Sequence, residues 1–385
     1  MRRTLVFLLI ALPASAADPK PGDEGTPEFK KATELVKQLG HTRYATREAA
    51  AKQLLDMGGA AVPALTAGAR SEDEEVRTRC IALLPHAKAA DWKRRAAAFL
   101  ADVDGKDKHD LPLLAEYSTA VGKLNAGSRK LFADMVRTNG ELLAQAAADP
   151  KAAKAAVTSR CRDLLGLVRV GQKQVPADVG DLAALFFVHS RVSKDRADWQ
   201  GLDHPAHLLA NPALAEGVGA ADVGPVLRQV VVRWVEGQPP DDITSHQFFV
   251  IAVRQKPFPE AVPVLTRLAK DKNASIFNVR ALAIEALGKV GNKEAIAALE
   301  ELMSDATPLF RGGRGEDFQL GDSAFAALVS AQKKKPEDYG LSAGLSIGLR
   351  AAAQGETIIL TLQSFPNNDA RQKGLKKWKD EAAKK

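Results

Sequence analysis

Residues 76–85 read VRTRCIALLP and residues 279–288 read VRALAIEALG, and the pattern that these two segments share decides the fold. Residues 46–55, TREAAAKQLL, follow the same pattern. Three positions after its arginine each segment has a small residue: Ala50, Cys80 and Ala283. The ninth position of each segment is a leucine: Leu54, Leu84 and Leu287. At this spacing the small residue and the leucine share one helical face, with the arginine outside it, and the small residue lets a neighbouring helix approach closely.

A second repeated segment accompanies the first. AVPALT at 61–66 recurs as AVPVLT at 261–266, and a less similar copy runs from Glu294 to Leu299. Proline near the start of a helix removes only an N–H group that would be unpaired anyway. Helix pairs with short turns that repeat along a chain predict an all-α fold, an α-solenoid.

These two motifs resemble the HEAT-repeat family, including its shorter bacterial HEAT-like variants. The Val-Arg-x-x-small-x-x-x-Leu helix and the AVPxLT helix carry the resemblance, which is good over residues 31–88 and 258–305. It implies stacked antiparallel helix pairs, an α-α superhelix, that act as an interaction scaffold without enzymatic activity.

Beyond these anchors, the helical pattern is looser, and Gly and Pro residues separate the helices. We expect this organisation: a signal peptide at 1–16, a flexible lead-in at 17–30, HEAT-like repeats at 31–88, divergent helical repeats at 89–257 with an irregular insertion near 199–219, HEAT-like repeats at 258–305, a loop-rich region at 306–369 and a basic helix at 370–385. The helical pattern fails over 341–365, where TIILTL at 357–362 is compatible with a short strand.

The first residues have the three parts of a secretory signal. Arg2 and Arg3 supply positive charge, LVFLLIAL at 5–12 is an apolar run too short to span a bilayer, and Ala14-Ser15-Ala16 fits a cleavage site. We expect cleavage after Ala16 or Ala17, which places the mature chain in the periplasm or outside the cell.

Composition and charge narrow the classes of function. Hydrophobic residues make up 45% of the chain but aromatic residues only 5%, which suits closely packed helices. The formal net charge is +7, of which Arg2 and Arg3 supply two charges, and residues 370–385, with seven basic and two acidic residues, supply five. The remaining body is near neutral, so no nucleic-acid partner is expected.

Two polar clusters are candidate sites. Ser71-Glu72-Asp73-Glu74-Glu75 could bind a metal, but a capping box with Ser71 as the N-cap and Glu74 reaching back explains it better. His204 and His207, after Asp203, have the spacing of two zinc ligands. Zinc needs three or four ligands, and the other histidines are scattered, so we expect no metal site. Those histidines are His41, His86, His109, His189 and His246.

The remaining chemistry-bearing residues have structural explanations. Cys80 and Cys161 are expected to be buried, unbridged thiols, although Cys161 lies between two arginines. The run RGGRG at 311–315 is a weak match to RNA-binding segments and indicates a loop. The sequence has no phosphate loop, GxSxG elbow or HExxH motif, so no catalytic, cofactor-binding or metal-binding residue is assigned.

The function that we expect is therefore binding of a protein or peptide partner, whose identity and mode of contact the sequence leaves open. One alternative is anchoring to an anionic envelope surface through the basic tail at 371–385, and a third is an enzyme of unknown type. Leu375 and Trp378 share one side of the tail helix, which also fits an end-cap docked on the last repeat.

Overall fold

The computed structural model describes residues 26–165, 176–192, 204–271, 277–311, 317–350 and 357–383. The chain divides into two compact units, Met1–Arg95 and Ala96–Lys385. Between residues 31 and 305 the described part of the chain consists of helices and their connections, without a strand. The all-α prediction is therefore confirmed for the repeats. Within the described residues, no helix has the length and apolarity needed to cross a membrane.

The first unit is built from helices whose small residues meet. Its helices are α1 Pro27–Gln38, α2 Tyr44–Met57, α3 Val62–Gly68 and the start of α4 Glu74–Ala101, with a 3₁₀ turn at Gly58–Ala61. Ala50 and Cys80 are fully buried, as predicted. A Cβ on Gly68 would lie 2.5 Å from the Cys80 sulfur, so α3 and α4 touch where both residues are small.

The repeated arginines lie outside the small-residue face, but they are not solvated as surface charges. Arg47 Nη1 donates to the His41 carbonyl at 2.8 Å, and Arg77 Nη1 donates to the Ser71 carbonyl at 2.9 Å. Arg280 is buried, and its Nε donates to the Ala269 carbonyl at 3.1 Å. The repeated arginine therefore ties its helix to carbonyls of the preceding connection or helix end.

The second unit continues with helix pairs. They are α5 Leu114–Val121, α6 Ala126–Ala148, α7 Pro150–Leu164, α8 Val179–His189, α9 Pro212–Gly219, α10 Gly224–Glu236, α11 Ile243–Gln255, α12 Val262–Lys270, α13 Phe277–Val290 and α14 Lys293–Leu302. The described part of the expected irregular insertion, from His204 onward, is a 3₁₀ helix at Pro205–Ala210 followed by α9.

Local signals set the ends of these helices. Asn125 and Ser128 form a reciprocal capping box at the start of α6, as Asp178 and Asp181 do for α8. After α13, Gly291 adopts a φ of +58°, which a residue with a side chain rarely adopts. Because Asn292 then caps α14, two residues suffice to reverse the chain.

The C-terminal part holds strands as well as helices. The elements are β1 Pro308–Arg311, β2 Asp317–Gln319, α15 Leu320–Ala331, a 3₁₀ helix at Pro336–Tyr339, β3 Ser342–Arg350, β4 Thr357–Ser364 and α16 Asn368–Ala382. β1 pairs with β2, and β3 pairs with β4, both antiparallel. Residues 306–369, expected to be loop-rich, thus contain two hairpins and a helix. The segment 357–362, which the sequence left compatible with a short strand, lies in β4. Its side chains alternate, since Leu360 and Leu362 are buried while Ile359 is exposed.

Helices α11 to α15 form two layers within the second unit. α11, α13 and α15 lie side by side in one layer, and α12 and α14 pack behind them. Ala283 and Leu287 of α13 are fully buried between the layers. β4 lies across α13 and α15, on the side away from α12 and α14.

Candidate functional site

An open groove lies where β4 crosses the layer of α11, α13 and α15. Its volume is about 670 Å³, within the range of ligand sites. The floor includes small residues of α13, of the turn that follows it and of α15: Ala281, Gly288, Gly291, Ala326, Ala327 and Ala331. A Cβ on Gly288 would lie 3.0 Å from Ala327, so the two helices approach closely and leave the floor shallow and smooth.

One arginine ties three elements together at the groove. Arg254 lies at the end of α11, and its Nε is 2.8 Å from Glu285 Oε1 on α13, which is an ion-pair distance. The contact is not a hydrogen bond, because the N–H is not directed at the oxygen. Its Nη2 donates to the carbonyl oxygen of Ile359 on β4 at 3.0 Å. Arg254 therefore fixes β4 above α13 and defines one side of the groove.

Besides Arg254 Nε, three polar atoms at the groove are buried and have no hydrogen-bond partner among the described residues. They are Glu285 Oε2, Ser323 Oγ and Gln363 Oε1. Buried polar atoms in folded proteins are almost always paired with protein or ordered water. Three such atoms in one groove make it a candidate site, because a bound molecule that reaches them would supply the missing hydrogen bonds.

Positive charge lies at the end of the groove where α13 and α15 finish. Lys289 and Lys333 are both exposed and both line the groove. Lys289 Nζ is 4.0 Å from Glu285 Oε1, a loose contact. The carboxyl ends of helices carry partial negative charge, which these two lysines offset. Their ammonium groups can still pair with a bound anion.

No sequence pattern indicated the buried polar cluster that joins α8, α10 and α11. Trp234 Nε1 donates to His189 Nδ1 at 2.9 Å, and His204 Nε2 lies 3.3 Å from Asp242. Ser245 donates its hydroxyl to Asp242 at 2.6 Å. The serine is fully buried and is bonded to the carboxylate, not to a histidine, so this cluster offers no exposed nucleophile.

Burial changes the ionisation of this cluster. Desolvation, with the neighbouring His204, lowers the pKa of His189 to about 3, so the ring is neutral at pH 7. Burial alone raises the pKa of Asp242, but hydrogen bonds from His204 and Ser245 outweigh it and hold that pKa well below its usual range. The cluster thus contains the neutral His189 ring and the hydrogen-bonded Asp242 carboxylate. Its contacts hold α8, α10 and α11 together.

The histidine pair considered for zinc does not converge. His204 Nδ1 accepts a hydrogen bond from the Ala206 N–H at 3.1 Å and so caps the 3₁₀ helix. The His207 ring instead packs edge-on against Phe248, with ring centroids 4.8 Å apart. Asp203, the cap expected from the sequence, lies outside the described residues, as do Gly312 to Gly315 of the RGGRG segment.

Among the described residues, ligand-type atoms of Asp102, Asp107 and His109 lie close together. The Asp102 carboxylate already accepts from the N–H groups of Lys106 and Asp107, both at 3.0 Å, and contacts His109 Nε2 at 2.9 Å. The hydrogen bond with His109 lowers the pKa of Asp102, against the effect of burial. The carboxylate therefore closes the loop after α4, and the group is not assigned as a metal site.

The acidic segment before α4 is a helix cap, but the capping residue differs from the expected one. Asp73 Oδ1 accepts from the N–H groups of Glu75 at 2.9 Å and Val76 at 3.1 Å. The prediction of Ser71 as the N-cap was therefore wrong, because Ser71 Oγ accepts from the N–H of Asp73, which itself precedes the first residue of α4. Because serine and aspartate are both good N-cap residues, the geometry of the turn decides which of them caps the helix.

Both cysteines behave as structural residues. Cys80 and Cys161 are fully buried, and no disulfide joins them, as predicted. Burial raises the pKa of the Cys80 thiol to about 11, so it is protonated at neutral pH and a poor nucleophile.

The basic tail is docked as a helix on the last elements. Leu375 and Trp378 of α16 pack against a core that includes Phe325 and Phe365. Arg371 forms a two-pronged ion pair with the buried Asp322, both contacts being 2.7 Å. These contacts match an end-cap and leave the described tail lysines on the outer side.

Comparison with protein families matches residues 240–313 to the family described as HEAT repeats. The matched stretch covers α11 to α14, so it supplies the Arg254 and α13 sides of the groove. The comparison with curated proteins finds no match. HEAT repeats form helical scaffolds that often mediate protein interactions and are generally not enzymes. Residues 240–313 of this chain therefore match HEAT repeats, and these repeats border the groove.

Proposed function

We propose that this chain is a non-enzymatic, exported scaffold that binds a protein or peptide partner in the groove between α13, α15 and β4. The observation that carries the proposal is the meeting of Glu285 Oε2, Ser323 Oγ and Gln363 Oε1, all buried and without partners among the described residues, in one open groove. The apolar run at 5–12, outside the described residues, supports export.

The dimensions of the groove suit a short chain segment. Ser323 and Lys333 are ten residues apart along α15 and its end, which at about 1.5 Å per residue corresponds to roughly 15 Å. An extended segment rises about 3.3 Å per residue, so four to five residues fill this length. The shallow floor of glycine and alanine leaves room for side chains of moderate size.

Peptide selection on the purified mature chain tests the proposal. A library of random peptides displayed on phage is enriched on immobilised protein, and affinities of the enriched peptides are measured by calorimetry. Ser330 lines the groove and is exposed, so Ser330→Trp fills the groove without disturbing the core. Ser304, also exposed and not a lining residue, provides the matched control Ser304→Trp.

We expect enriched peptides to bind the native chain and Ser304→Trp equally and to lose at least tenfold in affinity for Ser330→Trp. Equal thermal stability of the two variants shows that the loss comes from the groove. If no peptide is enriched, or if Ser330→Trp binds as well as the control, the groove is not a peptide site and the proposal fails.

A further inference from the structure

From the geometry of the groove we infer that its occupant is an extended acidic peptide, which adds a strand to the outer edge of β4 and places a carboxylate between Lys289 and Lys333. This inference rests on the proposed function and specifies the chemistry of the partner.

The outer edge of β4 is the edge that faces away from β3. Within the described residues β4 has a single strand partner, β3. The Ile359 carbonyl accepts from Arg254, so it points away from β3 and toward the groove. Backbone groups alternate in direction along a strand, so those of Thr361 point the same way. Thr361 thus presents an N–H and a carbonyl that a bound segment can pair with.

The residues of β4 do not prevent another strand from pairing with its edge. Thr357–Ser364 reads TIILTLQS, which contains no charged residue and no proline. Natural edge strands that must stay single generally carry lysine, proline or a bulge, and the irregularity of this hairpin lies at Ala343 to Leu345, on β3. The β4 edge therefore lacks these means of excluding another strand.

The charge of the residues that line the groove favours a negatively charged occupant. Its lining contains three basic residues, Arg254, Lys289 and Lys333, against one acidic residue, Glu285. Arg254 is engaged by Glu285 and by Ile359, so the excess positive charge lies on the two exposed lysines. An acidic side chain or a terminal carboxylate of the peptide would neutralise them, while Ser323 Oγ and Gln363 Oε1 receive donors from the peptide.

Synthetic pentapeptides provide direct probes. Both carry the fluorescent label on the amino terminus. The first is TVTVE with a free carboxyl terminus, and the second is TVTVQ with an amidated terminus. Two further forms of TVTVE carry N-methyl groups on alternate sets of amides. Affinities for the mature chain are measured by fluorescence anisotropy at low and at physiological salt.

We expect TVTVE to bind about tenfold more tightly than TVTVQ, since two exposed ion pairs together account for about that factor. One set of N-methyl groups should abolish binding and the alternate set should not, because only every second amide faces β4. The double variant Lys289→Gln/Lys333→Asn should reduce TVTVE affinity to that of TVTVQ. Lys373→Gln/Lys376→Gln, which removes the same charge from α16, should leave it unchanged.

The inference and the proposed function fail in different ways. Equal affinities for TVTVE and TVTVQ, or equal effects of both N-methyl sets, overturn the inference even when selected peptides still bind in a manner blocked by Ser330→Trp. Failure of both pentapeptides to bind also overturns it. If light scattering shows a dimer that Ser330→Trp converts to monomer, the occupant is a second copy of this chain and the acidic-peptide inference is refuted.

Discussion

Replacing Arg371 with methionine should release α16 from the end of the second unit. Arg371 Nε and Nη2 each lie 2.7 Å from an oxygen of Asp322, whose side chain is 3% exposed. Asp322 Oδ2 also accepts from the Phe365 N–H at 3.4 Å, a weak contact that cannot replace the guanidinium. Arg371→Met keeps the apolar stem beside the Phe365 ring but leaves the carboxylate buried without its cation.

Removing one partner of a buried ion pair costs about 3–5 kcal/mol. The Arg371 side chain is 17% exposed, so we expect the lower end of that range, about 3 kcal/mol. In a repeat protein this loss acts on the local opening of the terminal element, not on one global transition. A loss of about 3 kcal/mol corresponds to roughly hundredfold faster hydrogen exchange of the α16 amides.

Hydrogen–deuterium exchange with mass spectrometry measures this change peptide by peptide. The matched control is Asp322→Asn/Arg371→Met, in which the buried group is neutral and most of the protection should return. Amides of α6 and α8, far along the chain from α16, should exchange at native rates in both variants. Unchanged α16 exchange in Arg371→Met, or a double variant no better protected than the single one, would refute the ion pair as the tether.

Three further predictions follow from buried groups and from the N-terminus. The Cys80 thiol, with its pKa raised to about 11, should resist iodoacetamide at pH 8 in the native protein and react after denaturation; native alkylation would show that the site opens. Burial lowers the pKa of His189 in the folded protein to about 3 from the ordinary value of 6.5. As the pH falls, His189 therefore binds a proton in the unfolded state before it does so in the folded state. The free energy of unfolding should therefore decrease from pH 6.5 downward, by at most about 1.4 kcal/mol per pH unit, and His189→Asn should reduce this slope in urea titrations; equal slopes would contradict the assignment. The exported protein should begin at Ala17 or Asp18 by N-terminal sequencing, and recovery of an exported chain that retains Leu5–Leu12 would disprove cleavage.

The repeat core was predictable because its signal is local. Ala50, Cys80 and Ala283 stand at one helical position in their segments, and all three are fully buried. The proline of AVPALT predicted a helix start, and α3 and α12 each have proline in their first turn. Such features depend on residues within one or two helical turns, which a single sequence displays.

The polar contacts were not predictable because they join distant parts of the chain. His189 and Trp234 are 45 residues apart, and Arg254 and Ile359 are 105 apart. His189, which looks isolated in the sequence, therefore lies beside His204 in one cluster, while His204 and His207 do not converge on one ligand. A short strand at 357–362 could be expected, but its position across α13 and α15 depends on contacts that no local pattern encodes.

The end-cap and the groove are mechanically connected, which gives the basic tail a role other than surface anchoring. Asp322 lies in the first turn of α15, accepts hydrogen bonds from Arg371 of α16 and contacts the backbone of Phe365 directly after β4. Phe365 also stacks on Phe325 of α15, with ring centroids 5.9 Å apart. Since β4 forms one wall of the groove, loss of α16 removes a support of that wall without removing any residue that lines it. Deletion of residues 370–385 should therefore weaken peptide binding and speed exchange in β4 while leaving recovery on anionic liposomes unchanged. If the deletion instead abolishes salt-sensitive liposome binding and leaves peptide affinity intact, the tail is an anchor and its coupling to the groove is disproved.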